Sequence, residues 1–345
     1  MPDLLVTTPS GLFCPAGDFH VDPWKPVGSA IITHAHSDHA RAGSSQYLAA
    51  NEGLEVLRVR LGSDANIQTI SFGEKLRLGE VTVSLHPAGH ILGSSQVRIE
   101  HEGEVWVVTG DYKTAHDATC TPFELVRCHT LITESTFGLP IYRWREPSVT
   151  FAEINSWWES NKKAGIASVL YAYSLGKAQR LLSGVDPSIG PLFCHGAIER
   201  LNLAYRQSGV SLPETTYVGE VSDKSAWTGS LIIAPTSARG NPWLRRFGEF
   251  SSAYVSGWMQ IRGARRRRSV DRGFALSDHA DWPALIDVIK SSNAERVLVT
   301  HGSVEPMVRW LTENGWNAAP LHTEFRGELD EASEPVTDET EGSES

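Results

Sequence analysis

The sequence predicts an α/β protein in which two strand-rich segments enclose a region of alternating helices and strands. Apolar, β-branched runs recur through the first part of the chain, and helical and strand patterns alternate from about residue 150. Units of strand, histidine and helix then return beyond Arg262. With 345 residues, the chain can form one large domain or two interlocked ones.

The first part of the chain contains five strand-like runs, and ligand-type residues follow several of them. We expect strands at Ser29–Thr33, Val81–Leu85, Gln96–Ile99, Val105–Thr109 and Leu131–Thr133. Gly103 lies between the third and fourth of these runs, which predicts a hairpin there.

The middle of the chain has the pattern of an inserted α/β unit with parallel strand pairing. The elements expected there are a helix over Phe151–Lys162, a strand over Ala167–Ala172, a helix from Gly176 and a strand–helix pair around Leu192–Gln207. Further strands are expected at Phe274–Ser277 and Arg296–Thr300, before Asp278-His279-Ala280-Asp281 and His301-Gly302 respectively.

Composition favours a cytoplasmic protein. The chain has no apolar stretch long enough to span a membrane, and its start resembles neither a signal peptide nor a transit peptide. Its four cysteines have no paired spacing, so we expect reduced core residues. The net charge is −10, but residues 327–345 carry eight acidic and no basic residues. This segment is predicted to be a disordered tail, and the charge near −2 of the remainder permits a basic groove for nucleic acid.

The string His34-Ala35-His36-Ser37-Asp38-His39 is the strongest functional signal. It places four potential metal ligands within six residues, directly after a predicted strand, and such clustering has no packing rationale. Two nearby divalent ions need about seven donors, including one bridging carboxylate. His90, Asp111 and His301, each at the end of an apolar run and next to a glycine, complete such a set.

Other candidates have ordinary structural explanations. Asp22 could orient a ligand histidine, but a turn residue before Pro23 is an equally good interpretation. The isolated histidines His116, His195 and His322 are more simply packing residues.

These residues resemble the metallo-β-lactamase superfamily, whose zinc-binding motifs occur in the same order. The insertion after Glu134-Ser135-Thr136, followed by Asp278-His279-Ala280-Asp281 and His301, is similar to the β-CASP branch, whose members cut nucleic acids. The resemblance covers about residues 10–326. It implies an αββα sandwich over residues 1–145 and 261–326, with a β-CASP domain inserted at 146–260.

Within that branch, the opening Gly11-Leu12-Phe13-Cys14-Pro15 and the region from Ser256 to Trp282 look most like bacterial DNA-ligase-associated exonucleases. The resemblance therefore implies DNA as the substrate, a role in repair, and a DNA ligase and helicase as partners. His301 is a departure, since crosslink-repair relatives commonly lack a histidine there and RNA-processing members have one. An RNA substrate stays open.

The resemblance also implies a mechanism. His34, His36 and His90 would hold one metal ion, and Asp38, His39 and His301 the other, with Asp111 bridging them. A water shared by two cations loses its proton near neutral pH and attacks phosphorus. His279 would protonate the leaving oxygen while Glu134 raises its pKa; a contact at a helix N-terminus is the rival interpretation of His279. The many imidazoles favour zinc over manganese.

Phosphate binding is predicted at two places. Ser174, the backbone at Gly176 and Lys177 resemble the phosphate-handling loop of that branch, although a helix cap with a solvated lysine fits the same residues. The five arginines of residues 262–268, including Arg262 and Arg266, could follow a phosphate backbone or be solvated. Trp144, Trp243 and Trp258 could stack on bases or belong to the core.

Four functions follow from these features. The leading hypothesis is a metal-dependent DNA exonuclease, and an RNA-processing ribonuclease of the same branch is its nearest rival. A hydrolase of small esters or thioesters would use the same metals, but it needs neither the long insertion nor the arginine run. A metal-free binding subunit would be expected to lack ligands, whereas all seven positions are filled here.

Overall fold

A computed structural model describes residues 3–261 and 270–324. It confirms the α/β class, with 19 strands in three sheets and six α-helices in these ranges. The strands are β1 (Val6–Thr8), β2 (Gly11–Cys14), β3 (Phe19–Val21), β4 (Ser29–Ile31), β5 (Gln46–Ala50), β6 (Ile67–Ile70), β7 (Lys75–Leu78), β8 (Val81–Pro87), β9 (Ser95–His101), β10 (Glu104–Val108), β11 (Thr130–Ser135), β12 (Ala167–Tyr171), β13 (Leu192–Cys194), β14 (Thr216–Tyr217), β15 (Leu231–Ala234), β16 (Phe250–Val255), β17 (Arg272–Phe274), β18 (Arg296–Gly302) and β19 (Ala318–Pro320).

The helices are shorter in total than the strands. They are α1 (Leu54–Leu61), α2 (Pro147–Lys163), α3 (Lys177–Gly184), α4 (Gly196–Gln207), α5 (Trp282–Ser291) and α6 (Val304–Glu313). None of the helices in the described ranges is long and apolar enough to cross a membrane.

Two sheets pack face to face. The first has the order β1-β2-β3-β4-β5-β6, and the second has the order β19-β18-β11-β10-β9-β8-β7. Alternate apolar side chains of both sheets interdigitate in one core, for example Val21 and Ile31 from the first and Val83 and Val97 from the second. The predicted hairpin at Gly103 is present, since β9 and β10 pair antiparallel on either side of it.

Helices cover the outer faces of these two sheets. Leu57 of α1 and Tyr205 of α4 pack on Ile32 and Tyr47 at the first sheet. Leu285 of α5 and residues of α6 pack on the second sheet, because its strands β10, β11 and β18 present apolar side chains on that face as well. The result is the αββα sandwich that the resemblance implied.

The third sheet is entirely parallel and has the order β14-β13-β15-β12-β16-β17. Its central strands are buried on both faces, as continuous runs such as Leu231-Ile232-Ile233-Ala234 require. Helices α2, α3 and α4 pack on one face through residues such as Trp158 and Leu181. Parallel pairing agrees with the expectation for the middle of the chain.

The end of this sheet differs from the sequence prediction, which places a strand over Phe274–Ser277 in a segment returning to the sandwich from residue 261. Strand β17 instead ends at Phe274 and pairs with β16 in the third sheet. Residues 275–277 leave the strand because Ser277 turns the chain toward the sandwich: its carbonyl accepts hydrogen bonds from Lys113 and Arg180. The domain division, with its boundary at residue 261, stays a prediction.

Candidate metal centre

Four segments at the edge of the sandwich bring the predicted ligands together. The string His34–His39 follows β4, His90 follows β8, Asp111 follows β10 and His301 lies near the end of β18. Because the ligands are held by strand ends of two packed sheets, their backbones are fixed by the same hydrogen bonds that hold the sheets together.

The turn at His301 requires an unusual backbone. His301 has φ 60° and the next residue, Gly302, has φ +83°, and both lie in the left-handed region. A Cβ on Gly302 would lie 2.4 Å from Cα of Thr136. Glycine is therefore needed here for β18 to pass close to β11 and carry His301 to the site.

His34, His36, His90 and Asp111 form a buried group whose potential ligand atoms all lie within 4.8 Å of one another. Nδ1 of His36 is 3.2 Å from Nε2 of His34 and 3.2 Å from Nε2 of His90. Oδ2 of Asp111 is 3.6 Å from Nε2 of His34. These three nitrogens and one oxygen make a donor set suited to a zinc-type ion.

A second group consists of Asp38, His39 and His301. Their potential ligand atoms also lie within 4.8 Å of one another. Nε2 of His39 lies 3.8 Å from Oδ2 of Asp38 and 3.6 Å from Oδ2 of Asp111. Oδ2 of Asp111 therefore faces both groups, which is the position a bridging carboxylate needs.

The hydrogen-bond partners of His39 and His34 assign their tautomers. Nδ1 of His39 lies 2.7 Å from Oδ2 of Asp22 and donates to it. Thr33 donates its hydroxyl hydrogen to the same carboxylate, so its oxygen accepts from Nδ1 of His34 at 3.0 Å. In His34, Nε2 is thus left with a lone pair that faces Asp111. In His39, the carboxylates of Asp38, Asp111 and Asp22 outweigh burial and raise the pKa to about 10, so Nε2 carries a proton unless a cation takes its place.

His36 and His90 are oriented by the rest of the chain in the same manner. Nε2 of His36 donates to the carbonyl of Leu175, and Nδ1 of His90 donates to the carbonyl of Asp278. The remaining nitrogens, Nδ1 and Nε2 respectively, point into the first group. All four rings therefore use one nitrogen to donate to an oxygen beside the cluster and turn the other nitrogen inward, which is the arrangement of metal ligands.

The electrostatics of the cluster fit divalent cations. Burial lowers the pKa of His34, His36 and His90, that of His36 to about 4. Nearby histidines lower these pKa values further, and Asp278 offsets part of the effect at His36 and His90. The three rings are therefore neutral donors at pH 7. Burial raises the pKa of Asp111, because its charge is poorly solvated there. Cations at this place would offset that cost and use the lone pairs that otherwise face one another.

Asp22 lies where the orienting role requires. It is buried, has φ 43°, and accepts hydrogen bonds from the backbone N–H and the hydroxyl of Thr33 as well as from His39.

The substitution Asp22→Asn should weaken zinc binding about 10- to 100-fold, since the hydrogen bonds that orient His34 and His39 are weakened. Competition with a chelator would measure this. Asp18→Asn is the control, because the backbone of Asp18 is also in the left-handed region but its side chain is exposed. Equal zinc affinity in both variants would contradict the role of Asp22 in orienting the ligands.

His279 and Glu134 form a buried pair beside the ligands. Nδ1 of His279 lies 3.0 Å from Oε2 of Glu134, and potential ligand atoms of both residues and of Asp111 lie within 4.8 Å of one another. Burial opposes the charged form of His279, but the Glu134 carboxylate holds its pKa well above the usual range. The rival interpretation, a helix N-terminal contact, does not describe this side chain, since Asp281 is the residue that caps α5.

Two aromatic residues support His279 and had no such role predicted. Trp144 donates its indole N–H to the carbonyl of His279 at 2.9 Å. Phe137 packs against the His279 ring at 5.9 Å between centroids and against Trp258 at 4.8 Å. Contacts to a backbone carbonyl or a ring face leave no motif, so sequence patterns could not reveal them.

The structure places the predicted phosphate loop in the interior, next to the metal centre. Lys177 has no exposed surface and its ammonium lies 3.0 Å from Oδ1 of Asp278. The N–H of Gly176 donates to the side chain of Gln179 at 2.8 Å. Ser174 is half-buried. The charge and the backbone donor are thus engaged within the protein, and the Leu175 carbonyl of the same loop orients His36. Phosphate binding by this loop stays a prediction.

The remaining predictions concern the arginine run, the acidic tail, His195 and the cysteines. Arg262, Arg266 and the acidic tail lie outside the described residues. His195 caps α4 by accepting from the backbone of Ala197, as a structural histidine would. All four cysteines are free and three are buried; Cys120 is half-buried, not part of the core.

Comparison with known proteins agrees with this architecture. No family model matches the chain. It is 31% identical over 327 residues to a probable DNA ligase of Opitutus terrae. The matched region covers 94% of this chain but only 32% of that protein. It is 24% identical to the RNase aCSPSF2 of Saccharolobus solfataricus, over 72% of this chain and 58% of the relative.

Other similarities are more distant. The chain is 24% identical to an endoribonuclease of Gibberella zeae over 65% of its length and 27% of the relative. It spans less than two thirds of each of these three curated relatives. A solved structure of a protein of unknown function from Enterococcus faecalis superposes with a TM-score of 0.57 at 14% identity, covering 86% of this chain and 79% of that one. The sandwich with its inserted sheet is consistent with a metallo-β-lactamase fold that carries a β-CASP insertion, and the chain is similar to these relatives over most of its length.

Proposed function

We propose that this protein is a metal-dependent phosphodiesterase that acts as a DNA exonuclease in repair. One observation carries the proposal: a single buried carboxylate, Asp111, faces two groups of inward-turned ligands, and the charged His279–Glu134 pair stands beside it. Two-metal hydrolysis of a phosphodiester uses both features, a site for two cations and a group that can supply a proton.

The ligands divide between the two sites as the resemblance implied. His34, His36 and His90 would hold one ion, Asp38, His39 and His301 the other, and Asp111 would bind both. Divalent ions in such a site lower the pKa of water and neutralise charge that develops on the phosphoryl oxygens. Zinc is the ion that we propose, because five of the seven ligands are imidazoles; manganese is its competitor.

His279 supplies the proton to the departing sugar oxygen. Glu134 also accepts the N–H of Tyr112 at 2.7 Å, so its carboxylate is held in place and its pKa is lowered despite burial. The fixed carboxylate accepts from Nδ1 of His279, so Nε2 is the nitrogen from which the proton would be donated. The Trp144 indole holds the backbone of the same residue. The leaving oxygen thus receives its proton from an imidazole ring whose orientation and position are both fixed by hydrogen bonds.

DNA is favoured over RNA because the relative that covers nearly the whole chain bears the name of a DNA ligase. A ligase, and a helicase by the family resemblance, are the partners we propose. The alternative is an RNA-processing ribonuclease, which His301 and the names of the relatives from Saccharolobus and Gibberella favour. A small-ester hydrolase has less support, since it would not need the third sheet.

Matched strands test this proposal directly. Single-stranded DNA and RNA of one sequence, labelled at either end, are incubated with purified protein and zinc or manganese. We expect stepwise shortening of the DNA, and the label released first gives the polarity. Shortening of RNA alone would support the alternative, an RNA-processing ribonuclease. If neither strand is cut and a thioester is, the nuclease proposal fails.

A further inference from the structure

Two segments that leave the third sheet reach the metal centre. Leu175 lies in the segment after β12, and Asp278 lies in the segment after β17. These strands run parallel in one sheet, so their carboxyl ends lie at the same edge and the two segments leave it together. The Leu175 carbonyl accepts from His36, and the Asp278 carbonyl accepts from His90. Two ligand histidines of the sandwich are therefore oriented by acceptors from the third sheet.

The second metal site depends on a different part of the fold. Nδ1 of its ligand His39 donates to Asp22, which directly follows β3 in the first sheet. The first site contains both His36 and His90, whose acceptors come from the third sheet. A change in the third sheet's two segments should therefore act on the first site and not on the second.

A buried ion pair joins these two segments. Lys177 begins α3 two residues after Leu175, and its ammonium lies 3.0 Å from Oδ1 of Asp278. The two side chains are 0% and 2% exposed. Asp278 therefore uses its carboxylate to bind Lys177 and its carbonyl to orient His90. The ion pair ties the segment that orients His36 to the segment that orients His90.

Close packing at Gly176 fixes the same junction. Its φ is +87°, and a Cβ there would lie 2.2 Å from Cγ2 of Ile91, the residue after the ligand His90. The same Cβ would lie 3.7 Å from Oδ2 of Asp278. The N–H of Gly176 donates to the side chain of Gln179 at 2.8 Å. The loop thus lies directly against both Asp278 and the chain beside His90, and glycine is needed for this approach.

Stability alone does not explain the ion pair. The cost of removing two charges from water largely offsets their attraction, so apolar side chains of similar volume would often stabilise a protein as well as a buried pair does. The pair of Lys177 and Asp278 has a geometric consequence that apolar side chains would lack, because it sets the distance between two backbone segments that each hold a ligand histidine.

We propose that Lys177 and Asp278 are positioning residues for the first metal site. Their ion pair fixes the two carbonyls that orient His36 and His90, and it thereby raises the affinity of that site for a divalent ion without acting on the second site. This inference rests on the metal centre of the proposed function. It makes the third sheet part of the metal centre, since the sandwich alone would orient the ligands of only one site.

Zinc titration of the metal-free protein in competition with a chelator tests this inference without any nuclease activity. The double variant Lys177→Met/Asp278→Asn removes both charges, so that neither is left buried without its partner. Wild-type protein should bind two ions. The double variant should bind one ion with wild-type affinity and the other at least about tenfold more weakly, as expected when the partners of ligand histidines are disturbed.

The neighbouring buried pair provides the matched control. Asp117 lies 3.2 Å from Nε of Arg180, which is also on α3, and both residues are buried. Their side chains contact no ligand histidine, and Ser277 keeps its hydrogen bond from Lys113 when Arg180 is replaced. Asp117→Asn/Arg180→Met should therefore bind both zinc ions as the wild type does.

A third substitution identifies which site is weakened. Asp38→Ala removes a ligand of the second site, so adding it to Lys177→Met/Asp278→Asn should leave no ion bound with wild-type affinity. An ion that stays tightly bound in this triple variant would overturn the inference. Unchanged affinities in the double variant, equal weakening of both of its sites, or a wild-type protein that binds no zinc would overturn it as well.

The strand assay separates this inference from the proposed function. If wild-type protein binds two zinc ions and the double variant weakens one of them, but neither DNA nor RNA is cut, the positioning role stands and the nuclease function fails. If DNA is shortened and the double variant binds both ions with unchanged affinity, the nuclease function stands and the positioning role fails.

Discussion

Asp111→Ala is expected to lower kcat on DNA at least about 10³-fold. The carboxylate faces both ligand groups, at 3.6 Å from Nε2 of His34 and 3.6 Å from Nε2 of His39. Its loss leaves two cations without a shared anion, and the several kcal/mol of charge stabilisation that a paired site supplies corresponds to this loss of rate. Single-turnover cleavage of end-labelled DNA measures it.

Metal content distinguishes this explanation from misfolding. Elemental analysis should find fewer than two zinc ions per molecule of Asp111→Ala, while the circular dichroism spectrum stays that of the wild type. Asp117→Ala offers a comparison, since Asp117 is also buried yet pairs with Arg180 instead of facing the histidines; it should retain both ions. A fully active Asp111→Ala protein would refute the bridging role.

Glu134→Gln is expected to move the alkaline limb of the kcat–pH profile to lower pH, by about one to three pH units. His279 donates a proton, so the rate falls as the pH rises through its pKa. Glu134 raises that pKa against the effect of burial. Removing the negative charge therefore lowers it, and the protonated form is lost at a lower pH.

Removal of the acid itself should act differently. His279→Gln is expected to lower kcat about 10²- to 10⁴-fold and to abolish this limb. A matched control is Glu124→Gln, because Glu124 also pairs with a histidine, His86 at 3.1 Å, but its side chain is more than half exposed. An unchanged alkaline limb in Glu134→Gln would show that His279 is not the proton donor.

Sequence patterns predicted six of the 13 strands in the two packed sheets of the described residues. Runs such as Val81–Leu85 and Val105–Thr109 alternate or concentrate β-branched residues, and β8 and β10 occur there within a few residues. Such local signals are strong because each strand contributes its own buried face. The prediction for Phe274–Ser277 is wrong because the course of the chain there depends on Lys113 and Arg180, which are remote in sequence.

The phosphate loop shows the same limit more clearly. Residues 173–179 resemble a donor-rich loop, and nothing in their order reveals that Asp278 neutralises Lys177. Conversely, Lys113 belongs to no recognisable motif. It lines a cavity together with Arg180 and Ser277, which are more than 60 residues away in the sequence. Charge balance in a buried site is a sum over the whole fold, so it cannot be read from one segment.

The sequence by itself determined the ligand types, since four donors within six residues and three more at strand ends have no structural purpose without metal. Only the tertiary structure decided which atoms face inward. Backbone carbonyls of Leu175 and Asp278 select the tautomers of His36 and His90, and they come from segments more than 130 residues from His36 and more than 180 from His90. Every residue has a carbonyl, so its role follows from its position in space and not from its side chain.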